Sequence, residues 1–115
     1  MECPTILNLK LDQSDIDALE TIRKIRRNEE FLKAALPAGV LATIFLGNKS
    51  PEVMFSVHNT DFVAFASAMA TIPSITRRQI IQQAQLQQLK PRITPQQRQF
   101  WRAIESGCKA REYVQ

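Results

Sequence analysis

The segment Thr94–Gln97 has the features of a helix start. It places a threonine at the cap, a proline at the first helical position and a glutamine three residues after the cap, which is the pattern of a capping box. Phe100, Ile104 and Cys108 follow at helical spacing, so they share one face of the helix. The sequence therefore predicts a C-terminal helix that packs this face against a core.

The rest of the chain also favours helices over strands. The sequence contains three glycines, has no Asn-Gly or Asp-Gly hairpin pair, and places single prolines between apolar segments. Apolar residues recur at helical spacing after Ser14, where we expect the first helix to begin. The segment Glu52–Val57 is short and leaves a strand open. We therefore predict an all-α fold, a single compact domain of about five helices over residues 1–115, with residues 1–12 flexible.

Two helices are expected in residues 73–115. The first runs from Ser74 to about Leu89, with Ile75 and Leu89 among the residues expected to face inward, and the second begins at Pro95. A short break at Lys90–Ile93 joins them. Such a pair is either a helix-turn-helix of the DNA-binding type or a simple helical hairpin, and the sequence leaves both open.

The length of the chain limits its organisation. A chain of 115 residues suffices for one domain but not two, and a lone domain of this size has a thin stability margin, so we expect it to dimerise. No apolar run reaches the roughly 18 residues that span a bilayer. Because the first ten residues lack the basic-then-apolar layout of a signal peptide, a cytoplasmic location is expected.

Charge is distributed unevenly along the chain. Residues 76–115 contain eight basic and two acidic residues, a net charge of +6, whereas residues 1–75 contain seven basic and nine acidic residues, a net charge of −2. A basic C-terminal region is the first sign of a protein that faces nucleic-acid phosphates. The alternative is a solvated helix surface with an excess of arginine.

The sequence offers no residue set for catalysis or metal binding. His58 is the one histidine, no nucleophile is placed beside it by a motif, and a solvated or capping role is expected for it. Cys3 and Cys108 lie at opposite ends of the chain, and with His58 they fall short of the four ligands of a structural zinc site. We therefore expect no enzyme activity, no cofactor and no metal.

Four segments resemble, in their order and spacing, the FlhD family of transcriptional activator subunits. Ala42–Gly47 resembles the end of an apolar FlhD helix, and Ala70–Ile75 resembles the Thr-x-Pro start of a later helix. Ile93–Arg98 and Ile104–Gly107 resemble the Leu-Thr and Ile-x-x-Gly segments near the C-terminus. The resemblance covers roughly Phe31–Tyr113, and none of these segments is a specific motif by itself.

The resemblance implies an all-helical homodimer within a larger complex. FlhD proteins assemble with an FlhC-like partner that holds the zinc, and the complex binds DNA and recruits RNA polymerase to flagellar or conjugative-transfer genes. Positions that match the family's DNA-facing surface are Arg98, Glu105, Ser106, Cys108 and Ala110. Glu105 replaces a histidine of the family, and because an acid repels phosphate, that contact is not expected here.

These observations define two sets of candidate residues. The basic residues assigned to DNA contact are Arg77, Arg78, Arg92, Arg98, Arg102, Lys109 and Arg111. The apolar and aromatic residues assigned to a partner or dimer interface are Phe31, Leu32, Leu41, Ile44, Phe45, Phe62, Phe65 and Trp101. The function expected is that of a transcriptional activator subunit. The alternative is a helical interaction module, such as a chaperone or an anti-activator, that does not bind DNA.

Overall fold

The computed structural model describes residues 3–36, 38–47 and 50–113, and of these last the side chains through residue 110. The described chain is mostly helical, as predicted, but it has six helices and also a two-stranded sheet. In chain order the elements are β1 (Ile6–Lys10), α1 (Gln13–Lys24), α2 (Asn28–Ala35), α3 (Val40–Leu46), β2 (Met54–Val57), α4 (Asn59–Met69), α5 (Ser74–Gln88) and α6 (Pro95–Tyr113).

The sheet corrects the expectation that residues 1–12 are flexible. β1 pairs antiparallel with β2, with Ile6 opposite Val57 and Leu9 opposite Phe55. The register is interrupted between Ile6 and Leu9, where Asn8 adopts a left-handed φ of 56°. Ile6, Leu9 and Val57 are buried, so the sheet packs one side against the helices. A two-stranded sheet is marginal alone, and this packing stabilises it.

The first helix is capped by Asp12, two residues before Ser14, where the sequence places the start of the helix. The Asp12 carboxylate accepts a hydrogen bond from the Asp15 backbone N–H at 3.0 Å, and the Asp15 carboxylate accepts one from the Asp12 backbone N–H at 2.9 Å. This reciprocal pair is a capping box built from two aspartates. Because both carboxylates also favour the positive end of the helix dipole, α1 is strongly defined at this end.

A break at Arg27 separates α1 from α2. Arg27 has a left-handed φ of 69°, which a helix interior does not contain. Asn28 closes the break, since its buried side-chain amide donates to the Ile22 carbonyl at 3.1 Å. The same amide accepts from the Thr76 hydroxyl at 2.9 Å, which fixes the start of α2 against α5.

The core lies between α6 and the other elements, and aromatic rings form its centre. Phe45 stacks on Phe65 with ring centroids 5.5 Å apart, Phe62 meets Phe100 edge-on at 6.4 Å, and Phe100 meets Trp101 edge-on at 5.1 Å. All five rings are at most 2% exposed. These rings link α3, α4 and α6, and such pairs contribute about 0.5–1.5 kcal/mol each beyond the burial of their area.

The start of α6 follows the sequence prediction closely. The Thr94 backbone N–H donates to Gln97 Oε1 at 3.0 Å, and the Gln97 backbone N–H donates to Thr94 Oγ1 at 3.1 Å, which completes the expected capping box. Phe100, Ile104 and Cys108 are buried, as their spacing predicts. Before it, α5 ends at Gln88, and the two helices pack along each other as a hairpin.

The α4 helix is capped by His58. The His58 backbone N–H donates to the Asp61 carboxylate at 2.9 Å. His58 is exposed, in keeping with the solvated or capping role expected of it. No helix in the described ranges is long and apolar enough to cross a bilayer.

Candidate nucleic-acid interface

The basic residues assigned to DNA contact divide into exposed and buried members. Four are exposed, namely Arg78, Arg92, Arg98 and Arg102. Lys109 is partly buried and forms an ion pair with Glu105 one turn before it. Arg77 is 7% exposed, so its assignment to a DNA-contacting surface is corrected. The side chain of Arg111 lies outside the described residues.

Three of the exposed arginines lie near the start of α6, and we call Arg92, Arg98 and Arg102 the arginine surface. Arg98 and Arg102 are four residues apart on α6 and therefore point to the same side of the helix. With Ile93, Pro95 and Gln99 they line an open depression of about 390 Å³. Arg92 precedes Ile93 in the connecting turn. The depression therefore combines guanidinium donors with the apolar side chains of Ile93 and Pro95.

The backbone at Arg92 is in an unusual conformation. Its φ is 61°, in the left-handed region that costs a residue with a Cβ about 1–2 kcal/mol. The Thr94 cap immediately after it fixes where α6 begins. The turn therefore directs the chain into α6 with backbone strain at Arg92. A glycine at this position would adopt the same φ without strain.

Lys90 precedes the arginine surface in the chain, and it is held within the fold. Lys90 Nζ lies 2.7 Å from the Asp15 carboxylate and 2.9 Å from that of Asp12. Asp15 is fully buried and also accepts a hydrogen bond from Trp101 Nε1 at 2.8 Å. We call Asp12, Asp15, Lys90 and Trp101 the carboxylate cluster. It ties the start of α1 to the α5–α6 connection and to α6.

The charges of the carboxylate cluster are stabilised by these contacts. Burial raises the pKa of the Asp12 carboxyl, but hydrogen bonds from Lys90 and from the Asp15 backbone outweigh burial and hold that pKa below its ordinary value. Gln97 Nε2 adds hydrogen bonds to the Lys10 carbonyl at 3.2 Å and to Asp12 Oδ2 at 3.3 Å. Lys90 is thus engaged in holding the fold together.

Glu105 is also engaged by its neighbours. Burial raises its pKa, but hydrogen bonds from Lys109, Gln88 and Gln85 outweigh burial and lower that pKa below its ordinary value. The Gln88 amide donates to Glu105 at 2.8 Å and the Gln85 amide at 3.1 Å. Glu105 therefore joins α6 to α5, and the ion pair with Lys109 balances its charge.

Arg77 and Cys108 lie in the interior between α5 and α6. Arg77 Nε and Nη1 are buried and have no hydrogen-bond partner. Burial raises the pKa of the Cys108 thiol, and the charge of Arg77 opposes that rise. A thiol in this setting is not reactive. Cys108 was among the positions matched to the DNA-facing surface of the FlhD family, and at 1% exposed it lies inside the chain.

The residues assigned to a partner or dimer interface mostly lie in the interior of this chain. Phe31 is partly exposed. The other seven are at most 5% exposed, and they are Leu32, Leu41, Ile44, Phe45, Phe62, Phe65 and Trp101. Their large apolar side chains pack against one another within one chain, because α4 packs against both α3 and α6. In this structure none of the seven is at the surface to contact a partner, and Trp101 in addition donates its indole N–H to Asp15.

A different set of apolar residues lies at the surface, and sequence reasoning did not assign it to contacts. Large exposed side chains are Leu7, Val53, Met54, Val63, Ile75, Leu86 and Leu89. Ile75 and Leu89 were expected to face inward, but they are 65% and 81% exposed. The inward face of α5 instead contains Thr76, Ile80 and Ala84. A helical wheel centred on Ile80 and Ala84 would have placed Ile75 and Leu89 on the outer side.

No group of three or more His, Cys, Asp or Glu side chains that could hold a metal ion occurs in the part of the chain that the structure describes. Comparison with models of protein families, with curated proteins and with solved structures finds no match to this chain.

Proposed function

We propose that this chain is a subunit of a transcriptional activator and contacts DNA phosphates through the arginine surface. The observation that carries the proposal is the exposure of Arg98 and Arg102, which line one open depression at the start of α6, together with the exposure of Arg92 in the turn just before it. Guanidinium groups are always charged and donate in a planar fork that matches phosphate oxygens. Three exposed guanidinium groups near the start of one helix form a suitable anchor for a nucleic-acid backbone.

The proposed contacts give affinity rather than sequence choice. Phosphate contacts fix the position of a protein on the duplex, and each releases counterions, so binding weakens steeply with salt. We assign base reading to a partner of the FlhC type, in a complex that also contains a homodimer of this chain and that recruits RNA polymerase. The resemblance to the FlhD family supports this arrangement, and it also suggests flagellar or conjugative-transfer genes as targets.

The arginine surface is tested by replacing Arg92, Arg98 and Arg102 together with alanine. We expect the affinity for a 30-base-pair duplex, measured by fluorescence anisotropy with the partner present, to fall at least about tenfold, since each lost phosphate contact weakens binding. The matched control replaces Lys24, Arg26 and Lys33, which are exposed basic residues on α1, on α2 and between them. Equal losses in the two variants would contradict the proposal, because they would indicate a nonspecific effect of net charge.

The role of the partner is tested by a gel-shift assay. The isolated chain is expected to bind DNA weakly, and addition of an FlhC-like protein is expected to create tight, salt-sensitive binding. Equal affinity with and without that partner would contradict the division of labour between the two subunits.

A second candidate function is that of a helical interaction module without DNA binding. It is favoured by the exposed apolar residues of α5, Ile75, Leu86 and Leu89, which are 55–81% exposed. Exposed apolar side chains grouped on one helix face are typical of protein-protein contacts. In this case the triple alanine variant of the arginine surface would leave DNA affinity unchanged, whereas substitutions on α5 would abolish partner binding.

A further inference from the structure

Four charged side chains line an open cavity of about 160 Å³ where α1 ends and α2 begins. Glu20, Arg23 and Lys24 lie three and four residues apart, so they share one side of the end of α1. Glu29 joins them from the first turn of α2. The lining therefore combines two positive and two negative groups, and its net charge is zero. We call these four residues the mixed-charge cavity.

Within this cavity, the guanidinium of Arg23 is only partly satisfied by the fold. Arg23 is 9% exposed, and its Nη1 donates to the Leu46 carbonyl at 3.2 Å. Its Nε is buried without a hydrogen-bond partner, and among the residues that the structure describes Arg23 has no carboxylate within ion-pair distance. A guanidinium is always charged, and a buried charge without a counter-ion is costly. Arg23 is therefore suited to meet a carboxylate from outside the chain.

The two glutamates of the cavity are held more loosely. Lys24 Nζ lies 3.6 Å from the Glu20 carboxylate, and Lys33 Nζ lies 3.2 Å from that of Glu29. The side chains of both pairs are 40–74% exposed. Because such exposed pairs contribute little to stability, the two carboxylates can turn towards a ligand at small cost.

We propose that the mixed-charge cavity binds a small α-amino acid in its zwitterionic form. Arg23 donates to the carboxylate of the ligand, and Glu20 and Glu29 accept hydrogen bonds from its ammonium group. A simple anion that is attracted to Arg23 is repelled by the two glutamates, and a simple cation meets the opposite conflict. The terminus of a peptide carries only one of the two charges. A free α-amino acid carries both on one carbon atom, which matches a lining of zero net charge.

The size of the cavity limits the ligand. Its volume of about 160 Å³ equals the space of about five water molecules at ~30 Å³ each. Glycine and alanine are of this size, and a longer side chain would extend through the open side into solvent. Because so small a ligand makes few contacts, we expect a dissociation constant of about 0.1–1 mM.

Binding is tested by titrating the full chain with glycine at neutral pH and following the backbone amides by two-dimensional ¹H–¹⁵N NMR. The amide signals of Arg23, Lys24 and Glu29 are expected to shift and to saturate, with half-saturation at about 0.1–1 mM glycine. Acetate and methylammonium each carry one of the two charges. Each is expected to require a concentration at least about tenfold higher, since it loses one set of charged hydrogen bonds and keeps the repulsion.

The ammonium half of the site is tested by combining Glu20→Gln with Glu29→Gln. The substitutions keep the shape of both side chains and remove their charges, so glycine affinity is expected to fall at least about tenfold while acetate affinity does not fall. The matched control is Glu30→Gln, an exposed carboxylate beside Glu29 in the chain that does not line the cavity. Glycine affinity of the control is expected to equal that of the parent chain.

The carboxylate half is tested by Arg23→Lys, which keeps the positive charge but loses the planar donor group. Glycine affinity is expected to fall at least about fivefold, and circular dichroism checks that the helices are retained. Because Arg23 is buried, its substitution also acts on the fold. The glutamate variant changes exposed carboxylates and tests the site without that effect.

Two results would overturn the proposal. One is the absence of saturable shifts at these amides up to about 10 mM glycine, roughly ten times the weakest dissociation constant expected. The other is equal half-saturation by glycine and acetate, which would indicate a site for carboxylates alone. The cavity and the arginine surface share no residue, and these titrations contain no DNA. Failure of one proposal therefore leaves the other standing.

Discussion

Two basic regions meet where α5 is joined to α6, and they use their charges differently. In the carboxylate cluster, the side chain of Lys90 is 14% exposed and is held by Asp12 and Asp15. In the arginine surface, Arg92, Arg98 and Arg102 are exposed, and Arg98 and Arg102 line an open depression. Positive charge that meets a carboxylate inside the fold stabilises the fold, whereas an exposed guanidinium can be approached by a phosphate from outside.

The difference shows why net charge alone does not locate a binding surface. Of the basic residues after position 76, Lys90 and Lys109 form ion pairs with acidic residues, and Arg77 is buried. The candidate surface is therefore a smaller set, the exposed Arg92, Arg98 and Arg102 near the start of α6. The predictions below test this division, since the cluster should control stability and the surface should control binding.

The largest effect on stability is expected from Asp15→Asn. The substitution removes the buried charge that holds Lys90 and leaves the ammonium with Asp12, whose side chain is 49% exposed. We expect the free energy of unfolding in urea to fall by about 3 kcal/mol, the lower end for breaking a buried ion pair. The control is Asp17→Asn, an exposed carboxylate in the same helix, which should change stability by less than about 0.5 kcal/mol. A loss in the control as large as that of Asp15→Asn would refute the special role of the cluster.

A smaller loss is expected from Trp101→Phe. Phenylalanine retains an aromatic ring against Phe100 but has no N–H to donate to Asp15, which now accepts at 2.8 Å. We expect a loss of about 2 kcal/mol, because a hydrogen bond to a buried charged group contributes roughly 1.5–3 kcal/mol. Urea denaturation monitored by circular dichroism measures it. In a double-mutant cycle with Asp15→Asn the two losses should be less than additive, and full additivity would show that the two side chains do not act together.

In the arginine surface, Arg92→Gly is expected to weaken DNA binding without lowering the free energy of unfolding. Glycine adopts the left-handed φ of 61° without strain, so the free energy of unfolding should not fall and should rise by up to about 1 kcal/mol. Affinity for DNA should fall at least about threefold through loss of one phosphate contact. Arg27→Gly is the matched control, since Arg27 has a φ of 69° and lies outside the arginine surface. Reduced DNA binding by that control alone would count against the assignment.

The smallest effect on stability is expected from Glu105→Gln, and it depends on pH. Its pKa is lowered in the folded chain by hydrogen bonds from Lys109, Gln88 and Gln85, which outweigh burial. The resulting stability is therefore present above the unfolded pKa of about 4.3 and is lost as the pH falls below it. Glu105→Gln should be less stable than the parent by about 0.5–1 kcal/mol at pH 6. That difference should shrink towards pH 3. A difference that is constant with pH would show that the charge of Glu105 is not involved.

The sequence predicted those parts of the fold that depend on local signals. The capping box at Thr94 and the buried face at Phe100, Ile104 and Cys108 were predicted because both patterns lie within a few residues. β1 was missed, since its alternation is interrupted at Asn8, and its partner β2 lies about 45 residues further along the chain. Strands paired at such distance carry no local turn signal.

Only the part of the candidate surface that depends on local spacing was predicted from the sequence. Exposure of Arg98 and Arg102 follows from their position between the buried residues of α6, so spacing alone predicts it. The burial of Arg77 and of Trp101 depends on which helices pack against them, and Asp15 lies 86 residues from Trp101 along the chain. Helix spacing around Ile80 and Ala84 carries the information that Ile75 and Leu89 face outward, but the inward face of α5 was misjudged.

The claim that the arginine surface binds DNA phosphates is tested most directly by the salt dependence of affinity. The logarithm of the association constant falls linearly with the logarithm of the salt concentration, with a slope of about −0.9 per phosphate neutralised. We predict that replacing Arg98 and Arg102 with alanine makes this slope less steep by about 1.8, in the complex with the partner and over 50–200 mM salt. A slope that is unchanged in the double variant would contradict the account.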